Sequence, residues 1–168
     1  MDRVYEGKTS EPQVADRPAT LQIRELTPAD LRRGFLETLA SLAEVGLTVE
    51  RAEPILRERQ RAGIRTYVAW QDGEILGTAS LFVERKFIHG GGLVGHVEDV
   101  AVRADRQGHR VGTTLVRHVT REAQRLGCYK VILSCRPERS AFYQRLGYYC
   151  HEDGMRFDCP TAGTGSVP

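Results

Sequence analysis

The sequence contains no Cys-x-x-Cys pair and no His-x-His or His-x-x-x-His grouping. Its four cysteines, Cys128, Cys135, Cys150 and Cys159, and its five histidines are spaced irregularly. That excludes the ligand spacing of zinc fingers and ribbons, and no metal is expected. In a reducing compartment the cysteines then read as small apolar residues. No apolar run approaches the roughly 18 residues of a membrane span. Residues 1–17 lack the apolar centre of a signal peptide, so a cytoplasmic protein with no membrane partner is expected. Charge of one sign is missing too: 24 Lys and Arg against 22 Asp and Glu leave +2. No global field points to nucleic acid, and recognition by charge has to be local.

With no repeat and no linker, 168 residues are read as one domain large enough to bury its own core. Residues 1–18 and 159–168, small and polar, are expected to be a disordered and a flexible tail around a domain spanning 19–158. "LQIRE" alternates like a strand. A helix is expected from Thr27 to Gly46, with Thr27 and Asp30 forming a capping box and Leu31, Phe35, Leu39 and Leu42 at helical spacing. A shorter helix is expected within 48–62 despite Pro54. "TYVAW" and "EILGTASLFVE" flank Gln-Asp-Gly and read as a hairpin, with "HVEDVAV" as a third strand. A helix from Gly112 to Leu126, the strand "YKVILSC", a short helix opened by Pro137, and "YYCHEDGMRF" as a further strand or bent hairpin complete a mixed α/β order.

The stretch "DRQGHRVGTTL", residues 105–115, stands where β-formers give way to helix. A helix N-terminus offers unpaired N–H groups and the positive end of its dipole, and glycines let an anion come close, so this junction can seat a phosphate. It is not a P-loop, having three residues between glycines and Thr113 in place of the lysine, nor does it match Gly-x-Gly-x-x-Gly. Taken alone, the two glycines are equally well read as a tight turn.

"QGHRVG", preceded by "HVEDVAV" and followed by a helix and a strand, resembles the acyl-CoA pyrophosphate loop of the GNAT acetyltransferases. Gln107 and Gly112 match that pattern. Arg110 takes the place of its middle glycine, which keeps the backbone-amide seat only if residue 110 has a negative φ. "ERKFIH", "GLVGHVEDVAV", "GCYKVIL", "AFYQRLGY" and "RRGFLETLASLAEVG" are similar, in order, to motifs of the glucosamine 6-phosphate N-acetyltransferases within that superfamily. The resemblance implies a GNAT fold: a twisted, mostly antiparallel mixed sheet flanked by helices, with an acyl-CoA cleft between splayed central strands. It also implies acetyl-CoA as co-substrate, an amino sugar phosphate as acceptor, and a homodimer sharing C-terminal strands.

The residue roles are carried over from the same resemblance. Val100 would present a backbone N–H to the thioester oxygen. Val100, Ala101, Val102, Gln107, Gly108, His109, Arg110, Val111, Gly112, Thr113, Ser134 and Tyr143 would contact acetyl-CoA, with Arg103, Arg106 or Arg110 near its phosphates. Tyr143 would protonate or stabilise the leaving thiolate, although by itself it reads as a packing aromatic. Glu98 would take the amine proton, directly or through water, while Asp99, adjacent in a strand, would point to the opposite face. Lys86, His89, Asp99, Tyr129 and Lys130 would join Glu98 at the sugar phosphate.

Three positions depart from the family pattern. Ala43 stands where a threonine contacts phosphate, Ser134 where an acid is common, and Asp158 where an arginine is expected. On a strand, Arg156 would share a face with residue 158 and could supply the missing cation. Because these departures touch the part of the site that chooses the amine, another amino sugar, a polyamine or a protein amine remains open as acceptor. A catalytically silent acyl-CoA-binding module is the third reading.

Overall fold

The computed structural model describes residues 20–159, so the two predicted tails lie almost wholly outside the described residues. Five strands run in the order β1 (Gln22–Glu25), β2 (Arg65–Gln71), β3 (Glu74–Arg85), β4 (Leu93–Val102) and β5 (Cys128–Ile132). The first four are antiparallel neighbours, and β5 joins β4 in parallel. The β2–β3 turn is made by Asp72 and Gly73, both at positive φ (51° and 87°), the geometry that suits the twist of a two-residue hairpin.

Helix α3 (Val111–Arg125) covers one face of the sheet, placing Val111, Leu115, Val119 and Ala123 on Tyr67, Ala79, Leu81 and Val97. It sits close because β3 has a glycine beneath it: a Cβ on Gly77 would lie 2.8 Å from Leu115 Cδ1 and 2.9 Å from Val111 Cγ1. Even one methyl group there would push the helix off the strand. The other face is covered by a 3₁₀ turn (Pro28–Arg32), α1 (Phe35–Leu39) and α2 (Val49–Arg61), which bury Leu31, Phe35, Ala52 and Leu56 against Val68 and Ile75.

Two sequence expectations need correction. The helix expected from Thr27 to Gly46 is broken at Gly34, whose φ of 90° is left-handed. The capping box of Thr27 and Asp30 does form. However, α1 is only five residues long, and Leu42 is half-exposed rather than inward. The break lets the chain fold down on Ile75, where Thr38 Oγ1 donates to the carbonyls of Gly34 (2.7 Å) and Ile75 (3.2 Å). The second correction concerns "YYCHEDGMRF", which forms neither strand nor hairpin and is almost wholly exposed. Among the described residues it pairs with no strand, and a strand does not persist without those hydrogen bonds.

Asp30 anchors the segment leading to α1. It is fully buried and accepts a forked pair from Arg24 (2.6 and 2.8 Å) together with the Thr27 N–H and hydroxyl (both 2.8 Å). Burial alone would raise the pKa of this carboxyl, but Arg24 and Thr27 override it and hold the group at about 2. Since the folded value lies below the ordinary one, the contribution is complete at neutral pH and disappears as pH falls through 4 towards 2, amounting to about 2 kcal/mol. Denaturant unfolding should therefore show the wild type losing about 2 kcal/mol more than Asp30→Asn between pH 4.5 and pH 2, with the variant already less stable at pH 7.

Candidate active site

The sheet opens where β4 leaves β5. Pairing between them runs only from Leu93 and Cys128 to His96 and Ile132, so the second half of β4 has no neighbour on that side. The chain after β5 turns at Pro137 into α4 (Pro137–Gln144). Between these elements lies a cleft of about 880 Å³, within the size range of cofactor sites.

The wall contributed by β4 is shaped by a bulge. The register passes from Ser80 opposite Glu98 to Thr78 opposite Ala101, so Asp99 and Val100 together oppose the single residue Ala79. Asp99 has a left-handed φ of 52°, which breaks the alternation of the strand. As a result Glu98 and Asp99 are both exposed and both line the cleft. The expectation of opposite faces assumed a regular strand and fails here.

The floor at the other end is the N-terminus of α3. The first amides of Val111, Gly112 and Thr113 have no partner one turn back, and with Gln107, Gly108 and Arg110 these residues line the cleft. Gln107 Nε2 closes the loop by donating to the Val102 carbonyl (3.4 Å). Gly112 packs tightly, since a Cβ on it would lie 3.3 Å from Val102 Cγ2 and 3.5 Å from Phe142 Cζ. Gly108 and Arg110 both have positive φ (83° and 62°). The negative φ required of Arg110 is therefore absent: the loop keeps the glycine conformation and bears the strain of a side chain there.

Several predicted residues do lie along the cleft: Glu98, Asp99, Val100, Ala101 and Val102 from β4, the loop residues above, and Ser134 and Tyr143. Others lie apart from it. The His109 ring turns back on the Gln107 carbonyl (3.0 Å). Arg103 is bound by Asp105 (2.7 and 2.9 Å) and Glu74 (2.8 Å) and does not line the cleft. Lys86 pairs with Glu84 (2.6 Å), and the rings of His89 and Tyr129 meet at a tilt of 45° with centroids 4.6 Å apart, Lys130 lying above Tyr129. This group surrounds the Leu93 end of β4, five residues or about 17 Å from Glu98 along the strand. Arg156 lies in the exposed C-terminal stretch, joined to Asp158 at 2.7 Å.

Sequence reading missed three arginines, Arg136, Arg139 and Arg145, which α4 and its ends bring to the cleft beside Arg106 and Arg110. Among the described residues, no carboxylate lies within 4 Å of Arg110, Arg136, Arg139 or Arg145. They are spaced along "RPERSAFYQR", and that spacing was the available signal. Ser41 and Leu42, just beyond α1, also reach the cleft, which the uninterrupted first helix would not have suggested.

Tyr143 is half-buried, edge-on to Phe142 (4.9 Å) and Tyr148 (6.0 Å), and the Tyr148 hydroxyl is 2.6 Å from Thr120 Oγ1 on α3. Burial, with Cys135 and Tyr148 beside it, raises the Tyr143 pKa above its ordinary value of 10. The phenol thus keeps its proton at neutral pH and can donate it. Cationic seat, bulged strand with two carboxylates, and protonated phenol all line this one cleft. That combination suits a long anionic ligand with a reacting end. Among the described residues no group of acids, histidines and cysteines could hold a metal ion, and no helix is long and apolar enough to cross a membrane.

Residues 30–148 match the Acetyltransferase (GNAT) family. A glucosamine 6-phosphate N-acetyltransferase of Trypanosoma brucei brucei is 39% identical over 141 residues, covering 82% of this chain and 95% of its own. One of Candida albicans is 37% identical over 146 residues, covering 84% and 97%. The crystal structure of glucosamine-6-phosphate N-acetyltransferase from Arabidopsis thaliana superposes with a TM-score of 0.79 at 33% identity, covering 83% of this chain and 98% of that one.

The left-handed backbone of Arg110 has a measurable consequence. Arg110→Gly should raise stability by up to about 1 kcal/mol through relief of strain, whereas Arg110→Val should lower it by about 1–2 kcal/mol. Thermal unfolding of the two variants checks this.

Proposed function

The chain belongs to the GNAT acetyltransferase family, and we propose on that premise that it transfers the acetyl group of acetyl-CoA to the amine of D-glucosamine 6-phosphate. The products are CoA and N-acetyl-D-glucosamine 6-phosphate. The observation that carries the reading is the cleft itself, which brings together the amides of Val111 to Thr113, four arginines without a carboxylate within 4 Å among the described residues, and Glu98, Asp99 and Tyr143.

In this reading the pyrophosphate of acetyl-CoA takes the α3 N-terminus, and its other phosphate meets the arginines of α4. The pantetheine arm lies in the opening between β4 and β5. The thioester oxygen accepts the N–H of Val100, a donor preorganised by the bulge. Attack by the neutral amine forms the C–N bond and breaks the C–S bond directly, without an acyl-enzyme. Glu98 takes the amine proton, directly or through water, and Tyr143 supplies a proton to the departing thiolate. Cys135 lines the cleft but has no part in the transfer.

The second half of the reading is a homodimer. Lys86, His89, Tyr129 and Lys130 lie too far along β4 from Glu98 to meet the same small sugar within one chain, and Arg156 does not line the cleft. From a second copy they could supply the phosphate site, with the exposed stretch from Tyr149 to Phe157 crossing to that copy. Phe87, Met155 and Phe157 are almost fully exposed, which is unusual for an isolated chain.

Thiol release from acetyl-CoA is expected with glucosamine 6-phosphate and not with glucosamine or spermidine, and light scattering should give the mass of two chains. Equal release with unphosphorylated glucosamine would discard the sugar phosphate. Tyr143→Phe should lower kcat about 10²-fold with little change in the KM of acetyl-CoA. Because the phenol pKa is raised and the protonated form is the active one, the wild-type kcat should not fall between pH 7 and pH 9.5.

A further inference from the structure

Arg59 belongs to none of the motifs and lies on α2, a helix outside the cleft. Its Nη2 donates to Ser80 Oγ at 2.8 Å and lies 3.4 Å from Asp99 Oδ2. Ser80 is buried, and its Oγ is 3.4 Å from Thr66 Oγ1 on β2. It is also the residue opposite Glu98, on the edge of the register shift. One guanidinium therefore ties α2 to both strands at the rung where β4 bulges.

Asp99 occupies a left-handed conformation there. Such a residue persists where its surroundings over-determine it. Among the described residues Arg59 is the only cation within 4 Å of Asp99, and only Oδ2 is engaged. The second oxygen, Oδ1, has no protein partner among them.

We propose that Arg59 is a positioning residue for the acceptor amine: by holding Asp99 Oδ2 and the Ser80 rung it fixes the bulge, leaving Asp99 Oδ1 to accept from the amino sugar. This inference rests on the reading of Glu98 and Asp99 as the acceptor site. Arg59 touches neither substrate: its effect on the amine passes through Asp99, and its bond to Ser80 fixes where the guanidinium sits.

The experiment is a double-mutant cycle of Arg59→Met and Asp99→Asn on the full chain, measuring kcat, the KM of glucosamine 6-phosphate and that of acetyl-CoA, with thermal unfolding as a check on folding. Arg59→Met is expected to lower kcat/KM for the sugar phosphate about tenfold, as for a lost hydrogen bond to a charged group, with the KM of acetyl-CoA unchanged. Arg59→Lys should recover part of that loss, and adding Arg59→Met to Asp99→Asn should cause little further loss. A folded Arg59→Met with wild-type constants, or losses that multiply in the double variant, overturns the inference while leaving the acceptor site in place. An Asp99→Asn enzyme with unchanged constants overturns the acceptor-site reading and the inference with it. Should Arg59→Met not fold, Arg59→Lys takes its place in the same cycle.

Discussion

The parting of β4 from β5 after His96 is the constraint on which the remaining structure depends. Four residues of parallel pairing hold the strands together. Beyond them the bulge turns β4 away, while β5 gives way to the turn before α4. Backbone groups on the inner edge of β4 are then left for water or a ligand to satisfy. A continuous ladder would have closed the sheet and removed the cleft. The bulge therefore performs two tasks: it opens the edge, and it turns two adjacent carboxylates into the same space.

What α3 supplies follows from how closely it approaches the sheet. Gly77 lets Leu115 and Val111 rest on β3, and Gly112 lets the first turn contact Val102 and Phe142. The amides of that turn are thereby fixed relative to both β4 and α4. The net charge of +2 conceals a strong local imbalance: five arginines from two neighbouring segments line the cleft, and of these only Arg106 has a carboxylate within 4 Å among the described residues, that of Asp105 at 3.5 Å. Burial of the anion they attract would be costly without such neighbours, since an ion taken from water needs paired charge or hydrogen bonds.

The strands, the hairpin at Asp72 and Gly73, α2, α3 and α4 were all legible, because their periodicities and breakers agreed with one another. The failures have physical causes. The run of Leu31, Phe35, Leu39 and Leu42 keeps helical spacing through Gly34, and only the tertiary contact with Ile75 decides that the chain breaks there. Strand alternation implied opposite faces for Glu98 and Asp99, and a bulge has no signature in "HVEDVAV" because Asp tolerates the left-handed region without a glycine to announce it. Arg59 was invisible for a different reason: its partners are 21 and 40 residues away. The family resemblance identified cleft residues that single-residue chemistry would have left as packing, Tyr143 above all. It assigned no role to the arginines of α4 and its ends: Arg136 and Arg139 lie outside the motifs that carried it, and Arg145 lies within "AFYQRLGY" without a role there.

The same geometry gives the proposed reading an asymmetry, with much positive charge for acetyl-CoA and little for an acceptor's phosphate. The arginines and helix amides converge at one end of the cleft. At the other end stand Glu98 and Asp99, which attract an amine and repel a phosphate. An acceptor bearing both groups needs positive charge beyond the acids. Of the cations that could provide it, Lys86 and Arg156 adjoin in sequence the exposed Phe87, Met155 and Phe157, and Lys130 lies over the Tyr129 ring. Burying a large apolar side chain contributes about 1.5–3 kcal/mol, so a surface covering Phe87 and Phe157 would carry those cations with it. In the proposed homodimer, assembly and completion of the acceptor site would be one event, driven by apolar burial and given direction by charge.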